Sequence, residues 1–178
     1  MNTISKALVI HLFNLLAFAF LGTCPTVSAN SDGEPAGTRT SFDLSKIDES
    51  ITKEFVKAWN NSHNGVDNVE AVVFIFRNLD GTYWATALGP TNENNKVRFK
   101  WNPAAIALVH THPTSLDPKP STQDMRVGDR FGVPIFTITR WGMFMYDPNT
   151  RRVTKIQHNL DWSDASKWNQ DHQSISSR

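Results

Sequence analysis

The chain has 178 residues and a mass of 20.1 kDa, a length that suits one compact domain with terminal extensions. Hydrophobic residues make up 39% and charged residues 20% of the sequence, which excludes collagen-like, coiled-coil and strongly disordered chains. The 18 basic residues are balanced by 17 acidic residues, and this argues against a nucleic-acid partner, because nucleic-acid-binding domains carry a marked positive excess.

The N-terminal segment, residues 1–29, has the organisation of a secretory signal peptide. An apolar stretch from Ala7 to Phe20 follows a lysine, and the small residues Val27-Ser28-Ala29 form an exit suited to cleavage. We therefore expect an exported protein, periplasmic or secreted, whose mature form has no membrane span and no cysteine, since cleavage removes Cys24. The alternatives are an uncleaved anchor and a lipoprotein attached through Cys24, although the residue before it fits a lipobox poorly.

The mature chain divides into three predicted regions. Residues 30–42 have the composition of a flexible lead-in, regular structure is expected over residues 43–156, and residues 157–178 form a polar C-terminal tail. Two tryptophans in the tail, Trp162 and Trp168, leave two alternatives open: a short helix pinned to the domain or a frayed end.

A first helix is predicted from about Leu44 to Asn60. Apolar residues recur at every fourth position, at Ile47, Ile51, Phe55 and Trp59. Ser45 and Asp48 have the spacing of a capping box at its start. The apolar stripe requires a packing partner, and the runs that follow predict a sheet.

The middle of the chain is rich in predicted strands. Ala71–Phe76 and Thr82–Leu88 are joined by the turn Asn78-Leu79-Asp80-Gly81 and predict a β-hairpin. Val97–Trp101 is a candidate for another strand. The apolar run Ala104–His110 predicts a central strand that is buried on both faces.

The second half predicts a loop, a helix and three more strands. Residues 111–120 contain three prolines and cannot continue a regular element. Ser121 and Asp124 have capping-box spacing at the start of a helix that ends near Phe131. The further strands are predicted over Pro134–Thr139, over Met143–Tyr146 and after the turn Asp147-Pro148-Asn149.

The segment His110-Thr111-His112-Pro113, followed after seven residues by Ser121-Thr122-Gln123-Asp124, carries the most chemistry. Residues two apart at the end of a strand point to the same side, and the proline-rich loop is long enough to bring the first turn of the next helix back to them. Two imidazoles and one carboxylate with an open fourth position are typical of a catalytic zinc site. We therefore predict a metal site formed by His110, His112 and Asp124, with Asp117 and Asp129 as weaker competitors for the carboxylate position.

This pattern, His-x-His-Pro-x(7)-Ser-x-x-Asp, resembles the zinc motif of the JAB/MPN domain, the JAMM metallopeptidase family. The resemblance covers about Asp43 to Lys155, where the order of predicted elements is also similar. Within the family, the sequence most resembles small bacterial JAB-like proteins. It implies an α/β (α+β) fold in which helices flank a mixed β-sheet, with a cytidine-deaminase-like JAB/MPN core. It also implies one Zn²⁺ per chain and a hydrolase that cleaves peptide or isopeptide bonds.

The resemblance implies roles for two further residues. The family needs an upstream glutamate as general base for the metal-activated water, and Glu70 matches it by order because it immediately precedes an apolar strand. The alternative for Glu70 is an ordinary solvated carboxylate at the start of a strand. By the same resemblance, Ser121 donates a hydrogen bond to the developing oxyanion or to the metal-bound water; the alternative is that it only caps its helix.

The implied partner is a protein or peptide substrate. Family members that cut ubiquitin chains use insertions for which this chain is too short, so the substrate stays open among an exported protein or peptide, a peptide cross-link of the cell envelope, and a host or competitor protein. Because the family includes inactive scaffolds, the alternative function is an exported non-catalytic JAB-like protein-interaction module. A toxin-like nuclease is disfavoured by the balanced charge.

Overall fold

The computed structural model describes residues 42–89 and 99–168. Its helices are α1 (Glu49–Asn61), α2 (Thr122–Phe131) and α3 (Ala165–Trp168). Its strands are β1 (Val72–Arg77), β2 (Tyr83–Ala87), β3 (Ala105–Thr111), β4 (Ile135–Thr139), β5 (Gly142–Asp147) and β6 (Arg152–His158). The predicted signal peptide and nearly all of the predicted lead-in lie outside the described residues. In the described part, none of the helices combines the length and the apolar character that crossing a bilayer requires.

The strands form one mixed six-stranded sheet in the order β2-β1-β3-β4-β5-β6. The predicted hairpin is confirmed, since β1 and β2 pair antiparallel with Ile75 opposite Ala85. The apolar run before the histidines is confirmed as a central strand: β3 lies between β1 and β4, and nearly all of its residues are buried. Strands β3 and β4 are the parallel pair, and α2 makes the crossover between them, as parallel pairing requires.

The sheet buries a hydrophobic layer on each face. Helix α1 packs its apolar stripe, including Ile51 and Phe55, against one face. Helix α2 covers part of the other face through Met125 and Val127, which pack against a cluster that contains Val72, Leu108 and Ile135. Because residues two apart on a strand share a face, the even-numbered residues at the end of β3 lie on the same side of the sheet as α2.

The first helix begins later than the sequence predicts. Leu44–Lys46 form a separate 3₁₀ turn, and α1 starts at Glu49. The predicted capping box of Ser45 and Asp48 is wrong: Asp48 is itself the N-cap, and its carboxylate accepts hydrogen bonds from the backbone of Ser50 at 2.9 Å and Ile51 at 3.1 Å. An aspartate can serve either as the N-cap or as the third helical residue of a capping box, so the spacing of Ser45 and Asp48 alone could not distinguish these two roles of Asp48.

The strand predicted over Val97–Trp101 is not seen in its described part, because residues 99–101 have no strand pairing. Phe99 and Trp101 instead pack edge-on against Phe74, with ring centroids 5.5 and 5.6 Å away. Residues 97 and 98 lie outside the described residues. The aromatic residues that suggest a strand here instead pack on the face of β1.

The chain continues as ordered structure beyond residue 156. Strand β6 runs to His158, and of the two alternatives for the C-terminal segment the structure has the short helix, α3. Trp162 and Trp168 are almost fully buried in the α1-side core. The indole of Trp162 donates to the Thr139 carbonyl at 2.9 Å, and that of Trp168 donates to the Trp162 carbonyl at 3.2 Å. Residues 169–178 lie outside the described residues.

Candidate metal centre

Two histidines lie at the C-terminal end of β3. His110 pairs with Val72 of β1 and with Thr137 of β4, and His112 extends the pairing by donating its backbone N–H to Ile138 at 3.1 Å. Both imidazoles are buried. Thr111, between them, is buried on the opposite face, so the two histidines share the α2 side of the sheet.

The first turn of α2 supplies a carboxylate. Here the predicted capping box is confirmed: Ser121 Oγ accepts from Asp124 N at 3.3 Å, and Asp124 Oδ2 accepts from Ser121 N at 2.7 Å. This reciprocal pair holds the Asp124 side chain back over the start of the helix, where the helix dipole favours an anion. The same Oδ2 atom faces the histidines.

The three predicted ligands meet in one place. His110 Nε2 lies 3.0 Å from His112 Nε2, and Asp124 Oδ2 lies 3.4 Å from the first and 3.6 Å from the second. In zinc sites, nitrogen and oxygen ligands lie about 2.0–2.2 Å from the ion at tetrahedral angles, which places them about 3.4 Å apart. The observed triangle therefore has the dimensions of one face of a tetrahedral site, and these residues are positioned to hold a metal ion.

The donor set also fits a cation chemically. His112 Nδ1 donates to the backbone carbonyl of Asp117 at 2.8 Å, so the neutral imidazole keeps its lone pair on Nε2, directed at the other two ligand atoms. Among the described residues, no fourth His, Cys, Asp or Glu belongs to the cluster. Three protein ligands with an open fourth position are typical of catalytic rather than structural zinc sites.

Electrostatics at the cluster favour positive charge. Burial raises the pKa of Asp124, but the charge and the hydrogen bond of His110 outweigh it and hold this pKa well below its ordinary value. Burial lowers the pKa of His110, but the charge and the hydrogen bond of Asp124, together with the charge of Glu70, raise it above its ordinary value. The two carboxylates thus make this end of the sheet favourable for positive charge.

The competing carboxylates are engaged elsewhere. Asp117 contributes its backbone carbonyl to His112, while its side chain accepts from Lys119 N at 3.0 Å. Asp129 accepts from the Tyr146 hydroxyl at 2.7 Å. The preference for Asp124 as the metal-binding carboxylate agrees with these contacts.

Glu70 is buried beside the cluster, two residues before the β1 residue that pairs with His110. Burial raises the pKa of Glu70 above its ordinary value, more than the charges of His110 and His112 lower it. No described residue makes a hydrogen bond or an ion pair with its carboxylate. A solvated strand-start carboxylate, the alternative weighed from the sequence, does not describe a residue that is only 8% exposed.

Two hydrogen bonds hold the segment around Glu70 against the histidine strand. Ala71 N donates to the Thr111 hydroxyl at 2.9 Å, and Thr111 N donates to the Ala71 carbonyl at 3.0 Å. On the preceding loop, the Gly65 carbonyl accepts from Thr114 N at 2.8 Å. Gly65 has a φ of +67°, and a side chain there would meet the ring of Trp59, so only glycine allows this close approach.

Sequence reasoning missed the second layer of the site. The carbonyl of Asp117 and the hydroxyl of Thr137 both anchor the loop between the ligands, since Thr137 Oγ1 donates to the Pro118 carbonyl at 2.6 Å. A backbone carbonyl leaves no mark in a sequence. The threonine does leave a signal, because it is a hydroxyl residue within the otherwise apolar run Ile135–Ile138.

Comparisons with protein-family models, with curated proteins and with solved structures each found no match to this chain. The assignment of His110, His112 and Asp124 as possible metal ligands therefore rests on their geometry alone.

Proposed function

We propose that this protein is a zinc-dependent peptidase or isopeptidase of the JAB/MPN type. The observation that carries the proposal is the tetrahedral-face spacing of His110, His112 and Asp124 beside the buried carboxylate of Glu70. The match of these residues to the JAMM motif supports the same reaction class. The mixed sheet flanked by helices is compatible with a JAB/MPN core.

The metal that we propose for this site is zinc. Imidazole nitrogens combined with one carboxylate suit Zn²⁺, whereas Mg²⁺ and Ca²⁺ prefer oxygen ligands alone. His110, His112 and Asp124 would hold one ion per chain. When bound, zinc supplies a Lewis acid that lowers the pKa of water towards neutrality and polarises a carbonyl oxygen.

Glu70 and Ser121 have distinct roles in the proposed hydrolysis. Glu70 takes the proton of the attacking water and delivers it to the leaving amine, a task suited to a carboxylate whose pKa burial raises towards neutrality. Ser121 Oγ accepts the Asp124 N–H, and its hydroxyl also bonds to the Asp124 carboxylate. In the proposed role the hydroxyl turns its hydrogen to the carbonyl oxygen as negative charge develops there.

The proposed substrate is a protein or peptide met after export. The apolar N-terminal segment supports export through a signal peptide, and the balanced charge disfavours nucleic acid as a partner. An open fourth position next to a partly exposed Asp124 side chain is compatible with access by an extended chain from solvent.

The proposal is tested by digestion of a defined peptide mixture that includes peptides linked through a lysine side chain, with products read by mass spectrometry. We expect the zinc-loaded protein to cleave a subset of peptides, a chelator to stop cleavage, and added zinc to restore it. Asp124→Asn should be inactive, since an amide is a far weaker zinc ligand than a carboxylate.

Asp129→Asn is the matched control on the same helix, because asparagine can still accept from the Tyr146 hydroxyl. It should retain activity. A zinc-loaded protein that leaves every peptide and isopeptide intact would contradict the proposal and would favour the non-catalytic interaction module.

A further inference from the structure

We propose that Thr137 is a positioning residue for the metal centre: its hydroxyl holds the loop whose carbonyl orients His112. The inference rests on the proposed zinc site, because it concerns how one of its ligands is presented. Thr137 does not itself reach the ligand triangle through any hydrogen bond of the described structure; its Oγ1 bonds to the Pro118 carbonyl at 2.6 Å.

Thr137 has the location that this role requires. It lies on β4 directly beside His110 in the parallel register, and it is completely buried. Its neighbours Phe136 and Ile138 belong to the apolar core on the other face. A fully buried hydroxyl is retained in such a strand only when it has a partner, and the partner here belongs to the loop that joins the two halves of the site.

The connection from Thr137 to His112 runs through one peptide unit. The Asp117 carbonyl accepts from His112 Nδ1 at 2.8 Å, and the next carbonyl, of Pro118, accepts from Thr137. Only the φ and ψ rotations of Pro118 lie between these two carbonyls, and the proline ring locks φ, so anchoring the second carbonyl restricts the direction of the first. The hydroxyl of Thr137 therefore sets where the Asp117 oxygen lies, and this oxygen fixes the ring orientation and the tautomer of His112.

The composition of the loop explains why it needs an anchor from the sheet. Residues 111–120 contain three prolines, each of which lacks the N–H that could hold the loop by backbone hydrogen bonds. The loop makes one internal turn, from Leu116 N to the Pro113 carbonyl at 3.1 Å. Thr114 N also donates to the Gly65 carbonyl at 2.8 Å, but the later Asp117–Pro118 part of the loop depends on side-chain contacts such as that of Thr137.

The test compares zinc affinities of the purified full chain, measured by competition with a chromogenic chelator. We expect Thr137→Val to bind zinc about 10- to 100-fold more weakly, the range seen when partners of metal ligands are removed. Thr137→Ser keeps the hydroxyl and should stay within about 3-fold of the wild-type protein on the same basis. Should the valine variant fail to fold, Thr137→Ala removes the hydroxyl without adding bulk and should show the same weakening.

Thr139→Val is the matched control. Thr139 is a second buried threonine on the same face of β4, but its hydroxyl serves the turn to β5, donating to the Gly142 carbonyl at 3.0 Å. The Thr139→Val variant should unfold at a lower urea concentration than the wild-type protein and should bind zinc with unchanged affinity. Equal affinities for Thr137→Val and Thr139→Val, with zinc still bound by the wild type, would overturn the positioning role alone, whereas a wild-type protein that binds no zinc would overturn the metal site together with it.

Discussion

Replacing Glu70 by glutamine is expected to slow peptide hydrolysis by about 100- to 10,000-fold, the usual contribution of a general base, while zinc content and fold stay unchanged. Glutamine has nearly the same shape but cannot accept a proton from water. Because Glu70 is not a member of the ligand triangle, its replacement leaves His110, His112 and Asp124 in place. The measurement is a rate of peptide cleavage at saturating enzyme, with zinc quantified in the same sample.

Glu54→Gln is a suitable control for this variant. Glu54 is also a partly buried carboxylate, but it lies on α1 and accepts the backbone N–H of Ala87 at 2.6 Å, a bond that glutamine preserves. It should cleave at the wild-type rate. Full activity in Glu70→Gln would show that Glu70 is not the general base. Loss of zinc from this variant would mean that the substitution slows hydrolysis indirectly, and it would equally contradict the role of Glu70 as general base.

Replacing Trp162 by alanine is expected to lower the free energy of unfolding by about 3–5 kcal/mol, as for other buried aromatic residues. The indole is 1% exposed, packs edge-on against Trp59 at 5.7 Å between ring centroids, and donates to the Thr139 carbonyl. Truncation leaves a cavity between α1 and the C-terminal segment and an unpaired carbonyl on β4. Urea unfolding followed by circular dichroism measures the change.

Trp141→Ala provides the comparison for Trp162. Trp141 is 47% exposed, and its ring is stacked under the guanidinium of Arg140 at 4.3 Å, a surface contact of little consequence for stability. Its replacement should change stability by less than about 0.5 kcal/mol. A Trp162 variant as stable as the Trp141 variant would contradict the description of the C-terminal segment as part of the core.

Local patterns predict the parts of this fold that local interactions determine. The hairpin of β1 and β2 follows from two runs that contain β-branched and aromatic residues around an Asp-Gly turn, and the central position of β3 follows from its uninterrupted apolar character. The start of α1 was mispredicted because Ser45 and Asp48 fit a capping box while Asp48 caps the helix itself. The C-terminal helix stayed undecided because burial of Trp162 and Trp168 depends on distant partners on α1 and β4.

The candidate site also contains residues that local sequence patterns predict and residues that depend on distant contacts. Its ligands were predictable because His110 and His112 lie two residues apart on one strand, and Asp124 is tied to a helix start by its capping box. The position of Glu70 rests on strand pairing between β1 and β3, which the order of elements suggests but spacing alone cannot give. The support from the Asp117 carbonyl leaves no signal in the sequence, and Thr137 shows only as a hydroxyl in an apolar run, since both contacts arise from how a proline-rich loop folds over β4.

The most direct test of the metal centre is the zinc content of the purified protein beside its His110→Ala variant, after loading at neutral pH and dialysis, determined by elemental analysis. His63→Ala serves as control, because His63 is exposed and pairs with Asp67 on the surface, away from the ligand triangle. The metal centre predicts about one zinc per chain in the wild type and in His63→Ala, and essentially none in His110→Ala. A wild-type protein without zinc, or a His110→Ala variant that retains it, would contradict the metal centre on which the proposed function depends.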